Sequence, residues 1–126
     1  MPGYRLSEAA ETDIIDILVW SEAQFGEPAR RRYQRLILTG LTDIATDPAR
    51  PGSVERPELG DGVRSWHLRD SRDRARGVEG VVQRPRHFII DRSVDAHILI
   101  GRILHDAMEL ERHLRGAWDI ADRWGQ

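Results

Sequence analysis

The sequence predicts an α+β fold: an N-terminal strand, an antiparallel helical hairpin, a three-strand antiparallel run forming one sheet, and a C-terminal helix. Three observations carry that prediction. Apolar residues recur three and four apart in two adjacent segments between Ser7 and Asp47, the period of helices with one buried face. Three segments between Val63 and Leu104 alternate or run continuously apolar, as strands do. After His105 the three-and-four spacing returns.

Tyr4-Arg5-Leu6 is short and alternating, which suits a first strand. Ser7 can cap the helix behind it, whose first turn carries Glu8 and Glu11 where the helix dipole favours acids. Ala10, Ile14, Ile17, Leu18 and Phe25 form that helix's apolar stripe, and Gly26 ends it. Pro28 fits the first turn of a second helix with the stripe Ala29, Tyr33, Leu36, Ile37, Leu41 and Ile44, which Asp47-Pro48 stops. Residues 48–62 are rich in proline and glycine and read as an irregular surface loop. Val63 to Leu68 alternates as a strand. Residues 70–86 mix charge with glycine and proline, so they read as a long hairpin excursion with a brief pairing at Val81-Val82. Strands follow at His87 to Asp91 and His97 to Leu104, joined by a turn through Ser93 to Asp95. The last is apolar at nearly every position, as in a strand buried on both faces, and its Gly101 marks a bulge or a close backbone approach. Beyond His105 the positions Ala107, Leu110, Leu114, Ala117, Ala121 and Trp124 predict the C-terminal helix, with Gly116 as a break.

A chain of 126 residues suits one domain, here 1–126 with a core at about 4–114 and a tail at 115–126. Apolar residues at 40% and charged residues at 32% describe a globular protein without an apolar run long enough to span a membrane. The opening residues have no apolar signal core, so a cytoplasmic location is expected. With no cysteine, disulfides and thiolate metal sites are excluded. The net charge of −2 gives no global basic field for holding nucleic acid. All 19 basic residues are arginine, which excludes Schiff-base and phosphate-loop lysine chemistry and favours planar, bidentate contacts to carboxylate or phosphate. His67, His87, His97, His105 and His113 show no metal-binding pair on one helix face, and no metal or cofactor is expected.

Two motifs carry more specific information. In ARPGSVERPELGDGVRSWHL, Arg56 and Leu59 precede the element Gly62-Val63-Arg64-Ser65, and in GRILHDAMEL the last strand ends on Arg102-Ile103-Leu104-His105. With the element order around them, these resemble the RelE/ParE superfamily of toxins from bacterial type II toxin–antitoxin operons, closest to the ParE branch, over about residues 4 to 114. Three features depart from the branch's pattern: an insertion at roughly residues 71–85, Asp91 where an aromatic is common, and the tail beyond Leu114. The resemblance implies a toxin that binds DNA gyrase and traps its cleaved-DNA complex. It also implies plasmid stabilisation and a cognate antitoxin encoded next to it, whose disordered C-terminal segment wraps the toxin and folds on binding. RelE-like members are instead ribosome-dependent mRNA endoribonucleases, and an inactive antitoxin-binding remnant is a third possibility.

Ribonuclease chemistry needs a group to activate the ribose 2′-hydroxyl, an acid for the leaving oxygen and cations on the phosphate. Arg64, Arg102 and His105 are the candidates, because both arginines can lie on neighbouring strands and histidine titrates near neutrality. A histidine at a strand-to-helix corner more commonly hydrogen-bonds backbone to fix the turn, and no Tyr or Glu accompanies His105 at a defensible spacing. His105 therefore reads as a corner and the protein as a non-catalytic binder. Partner contacts are expected at Trp20, which falls off its helix's apolar stripe, and at Arg64, Trp66 and Arg102. The cluster Arg30-Arg31-Arg32-Tyr33-Arg35 reads as a solvated helix face or a contact for an acidic partner. The helical hairpin of residues 8–47 and the adjoining sheet face are expected to hold the antitoxin. The tail, with Trp118 and Trp124, is expected to dock on its own domain near Trp20 or the sheet, or to pack in a homo-oligomer.

Overall fold

Ser7 starts the architecture. In this computed structural model, which describes residues 3–107, its backbone is extended, and its hydroxyl accepts from the Ala10 N–H at 2.9 Å while donating to the Gly101 carbonyl at 2.7 Å. One side chain thereby caps the first helix and ties it to a strand 94 residues away. Strand β1 (Tyr4–Leu6) precedes it, and helices α1 (Glu8–Phe25) and α2 (Glu27–Thr46) follow, folded against each other at Gly26, whose φ of 89° favours glycine.

The two helices differ in burial. Leu36, Ile37, Leu41 and Ile44 of α2 are each at most 1% exposed. At Gly40 a Cβ would meet Leu68 Cδ2 at 2.8 Å and Ile89 Cδ1 at 3.0 Å, so only glycine lets α2 lie this close to the sheet. In α1 Ala10 and Ser21 alone are buried, and Phe25, expected in its apolar stripe, is 67% exposed. The stripe is correct from Ala10 to Leu18, where Ile14, Ile17 and Leu18 pack on the core, and fails at the helix end, which overhangs the sheet.

The sheet corrects the predicted fold. It is not three antiparallel strands but a mixed five-stranded sheet in the order β1-β5-β4-β3-β2, formed with β2 (Val54–Glu55), β3 (Val63–His67), β4 (His87–Val94) and β5 (His97–His105). β1 pairs parallel to β5 because the helical hairpin carries the chain across the sheet before it returns. β2 pairs with β3 from inside the proline-rich loop and, at two residues, is too short to show alternation. The expected C-terminal helix is not among the described elements: β5 ends in a turn at Asp106 and Ala107, and the residues beyond 107, where that expectation falls, lie outside the described residues.

Gly101 is a bulge. Ile90 pairs with Arg102 and Asp91 with Ile100, leaving Gly101 without an opposite residue. β5 is flanked by β1 and β4 and buried on both faces, with Ile98, Ile100 and Ile103 toward the helices and Leu104 packed with Val63, Ile90, Leu59 and Phe88 on the other side. The excursion between β3 and β4 opens with a 3₁₀ turn at Leu68–Ser71 and folds back on α2 through Arg35, whose Nε donates to the Ala75 carbonyl at 2.8 Å. The pairing expected at Val81-Val82 lies instead between Gly77 and Gly80.

Candidate functional site

The register of β3, β4 and β5 brings three histidines to one end of the sheet. His67 pairs with Phe88, Phe88 with Leu104, and His87 with His105. His87 and His105 rings meet edge-on at 5.4 Å, and His67 stacks edge-on against Phe88 at 4.9 Å. Asp106, one residue past β5, collects the group: its carboxylate lies 3.1 Å from His67 Nε2, 3.3 Å from Arg86 and 3.6 Å from His105 Nδ1. Because His67 Nδ1 accepts from the Arg69 N–H, the Nε2 of its neutral ring carries the proton and donates to Asp106. Burial works to raise the Asp106 carboxyl, but the His67 hydrogen bond and the charges of Arg86 and His105 outweigh it and hold Asp106 below the usual carboxylate range.

Tyr33 of α2 closes the other side. Its hydroxyl accepts from the Arg86 N–H at 3.1 Å and stands 2.6 Å from His87 Nδ1, so it donates there. Burial pushes the Tyr33 phenol up to about 12. Burial, with the neighbouring His105 second, pushes His87 down to about 4. Near neutrality these shifts leave the phenol protonated and the imidazole neutral. His105 Nδ1 accepts from the Ala107 N–H at 3.1 Å, fixing the turn, and its side chain is 40% exposed.

The arginines singled out in the sequence are engaged elsewhere. Arg102 grips Asp13 of α1 in a fork, Nε to Oδ2 at 2.7 Å and NH2 to Oδ1 at 2.9 Å, and Asp13 also accepts the Ile103 N–H. Arg64 reaches back to β2, donating to Ser53 Oγ at 2.7 Å, the Ser53 carbonyl and Glu55. Arg64, Arg102 and His105 are therefore not assembled into one constellation. Trp66 is 1% exposed and belongs to the core. Its Nε1 donates to Ser71, which donates to Asp43, a carboxylate also held by Arg74 and Arg50. Across the pair from Arg64 stands Asp91, 1% exposed, with neither carboxylate oxygen hydrogen-bonded among the described residues; burial pushes it up to about 7 against the pull of Arg64.

Trp20 lies on a groove. A cavity of about 430 Å³ opens between the end of α1 and the strand ends, with Trp20 and Phe25 on one wall, Val82, Arg84 and His87 on the other, and His105 at its border. Among the described residues no group of His, Asp or Glu is placed to hold a metal ion, and no helix is long and apolar enough to cross a membrane.

A sequence model of the ParE toxin of type II toxin–antitoxin systems, parDE, matches residues 4–110. The chain belongs to the ParE toxin family. No curated protein matches it. Both motifs that suggested the family have structural work in this toxin: Arg56 Nε donates to Ser65 Oγ at 2.9 Å, Leu59 and Val63 pack on Ile90, and Arg102 pins α1 to β5. The sequence reading missed Tyr33, His67, His87, Arg86, Asp106 and Asp13. Tyr33 was absorbed into an apolar stripe. The histidines did leave a signal, since each stands at the same end of one of three successive antiparallel strands.

Proposed function

We propose that this ParE-family toxin acts by binding, with DNA gyrase as its target, and that an antitoxin encoded beside it in the cytoplasm neutralises it. The observation that carries the reading is the state of the polar groups. A ribonuclease needs cations free to meet phosphate and a base poised near neutral pH, whereas Arg102 and Arg64 are engaged by acidic and serine partners and the Tyr33–His87 pair titrates far from neutrality. The antitoxin segment is assigned to the helical hairpin and the adjoining sheet face. On α1, Ile15 and Val19 stand one turn apart at 61% and 64% exposure, an apolar stripe suited to a segment that folds as it binds. Trp20 is a partner contact in this reading, and Arg64 and Arg102, each about a fifth exposed, would contribute only their outer edges.

Ribosome-dependent mRNA cleavage keeps one supporting observation, the half-exposed His105 ring beside Arg86 and Asp106. Expression without antitoxin separates the readings. Filamentous cells with damaged DNA and continuing translation are expected. Rapid translation arrest with cut mRNA would replace the binding reading with the enzymatic one, and unimpaired growth would point to an inactive remnant.

A further inference from the structure

Arg64 and Asp91 oppose each other across β3 and β4, and the ion pair that this position invites is not made. Directly opposed residues on antiparallel strands have Cβ atoms only about 5 Å apart. Yet Asp91, 1% exposed, has no hydrogen bond to either carboxylate oxygen among the described residues. Arg64 instead sends Nε to Ser53 Oγ at 2.7 Å, Nη2 to the Ser53 carbonyl at 3.3 Å and Nη1 to Glu55 at 3.3 Å. Those acceptors belong to a slight edge of the sheet. β2 is two residues long, both are exposed, and the Arg56 N–H on the Val63 carbonyl at 2.8 Å closes its ladder to β3.

The two claims on Arg64 differ in what can replace it. The Glu55 side chain is 78% exposed, so water takes over from the guanidinium there at little cost. An ionised Asp91 is closed off from solvent. Opposite it on β5 stands Ile100, which carries no charge, and Arg64 is the one charge among the described residues that acts on it. The carboxyl therefore needs Arg64 only when ionised, and then more than β2 does. We propose that Arg64 is a two-position latch: with the Asp91 carboxyl protonated it holds β2 against β3, and when that proton leaves to solvent it turns across the pair to the carboxylate and lets β2 go. Burial, which pushes Asp91 up to about 7, brings the change toward neutrality, and capture of the guanidinium, which favours the ionised form, sets it at or below that value. The latch is closed on the acid side of the transition and open on the alkaline side. Opening uncovers the edge of β3, whose backbone N–H and C=O groups then become available to a partner's strand.

Amide hydrogen exchange of the full-length protein, expressed as protection factors for Arg56 and Ser7, tests the latch. The Ser7 N–H donates to the Ile100 carbonyl and reports on the opposite side of the sheet. From about pH 5.5 to about pH 8 the protection of Arg56 should fall on the order of tenfold relative to that of Ser7. Asp91→Asn, neutral at every pH, should abolish the fall and keep Arg56 protected throughout. Arg64→Gln should leave Arg56 poorly protected at both ends of the range, and carbon NMR should show its Asp91 carboxyl titrating at a higher pH than in the parent. Constant Arg56 protection in the parent, or a fall that Ser7 shares or that persists in Asp91→Asn, would overturn the proposal. So would an Asp91 titration that Arg64→Gln leaves unmoved.

Discussion

His87 and Asp91 stand four residues apart on β4 and are treated in opposite ways. Around His87 the polar groups are matched: Tyr33 donates to it, Arg86 donates to Tyr33, and Asp106 answers His67, Arg86 and His105. Asp91 is the more deeply buried of the two, at 1% exposure, yet among the described residues both its carboxylate oxygens lack a hydrogen bond and the nearby Arg64 turns its donors to Ser53 and Glu55. One station of the strand is a satisfied network that rigidifies a corner; the other is a charge the fold tolerates at a cost. The difference teaches where stability and function sit. The histidine cluster has the residue types of a catalytic site, and in the binding reading proposed above its satisfied hydrogen bonds make it a clamp.

The two stations also titrate in opposite senses. Asp91, raised from 3.8 to about 7, contributes most below pH 3.8, and that contribution is lost as pH rises to 7. His87, lowered from 6.5 to about 4, contributes above pH 6.5 and loses it as pH falls toward 4. Between pH 4 and 6.5 the slopes oppose, each about 1.4 kcal/mol per unit, so the parent protein should show a flat stability profile there.

The largest expected effect comes from removing the unmatched charge. Asp91→Asn should raise stability at pH 8 by up to about 4 kcal/mol, with the gain vanishing near pH 4 and the rising limb due to His87 unmasked in between. Urea unfolding across pH measures it, and a pH-independent difference would break the contrast between the stations. Next is Tyr33→Phe, which strands His87 Nδ1 and the Arg86 N–H together and should cost about 1 to 3 kcal/mol. Proton NMR of the same variant should show His87 titrating at a higher pH than in the parent; an unmoved His87 would mean the clamp is not what holds it. The smallest effect belongs to His105→Ala. A ring 40% exposed with one backbone contact should cost within about 1 kcal/mol of thermal stability, and a larger loss would make the corner part of the core.

Much of this molecule was legible in its sequence because periodicity reports burial. The α2 stripe, the Ser7 cap, the doubly buried last strand and the bulge at Gly101 all follow from local residue pattern. The parallel pairing of β1 and the two-residue β2 did not, because pairing partners are chosen across the chain and a short strand has no period. The site was read less well. Arg102 was legible as part of a motif ending the last strand, but its partner Asp13 lies 89 residues away on a helix face that reads as solvated. Trp66 sat in an alternating strand between polar neighbours, and only the sheet's placement under α2 and the excursion turns it inward to Ser71.

The central claim is that this ParE-family protein inhibits by binding, with the histidine corner as scaffold. Purified gyrase with relaxed plasmid, and programmed ribosomes with mRNA, should each be challenged with the parent protein and with His105→Ala. The account expects loss of supercoiling and accumulation of gyrase-cleaved DNA with both proteins, and intact mRNA throughout. Messenger cleavage by the parent that disappears in a folded His105→Ala variant, with gyrase unaffected, would contradict it.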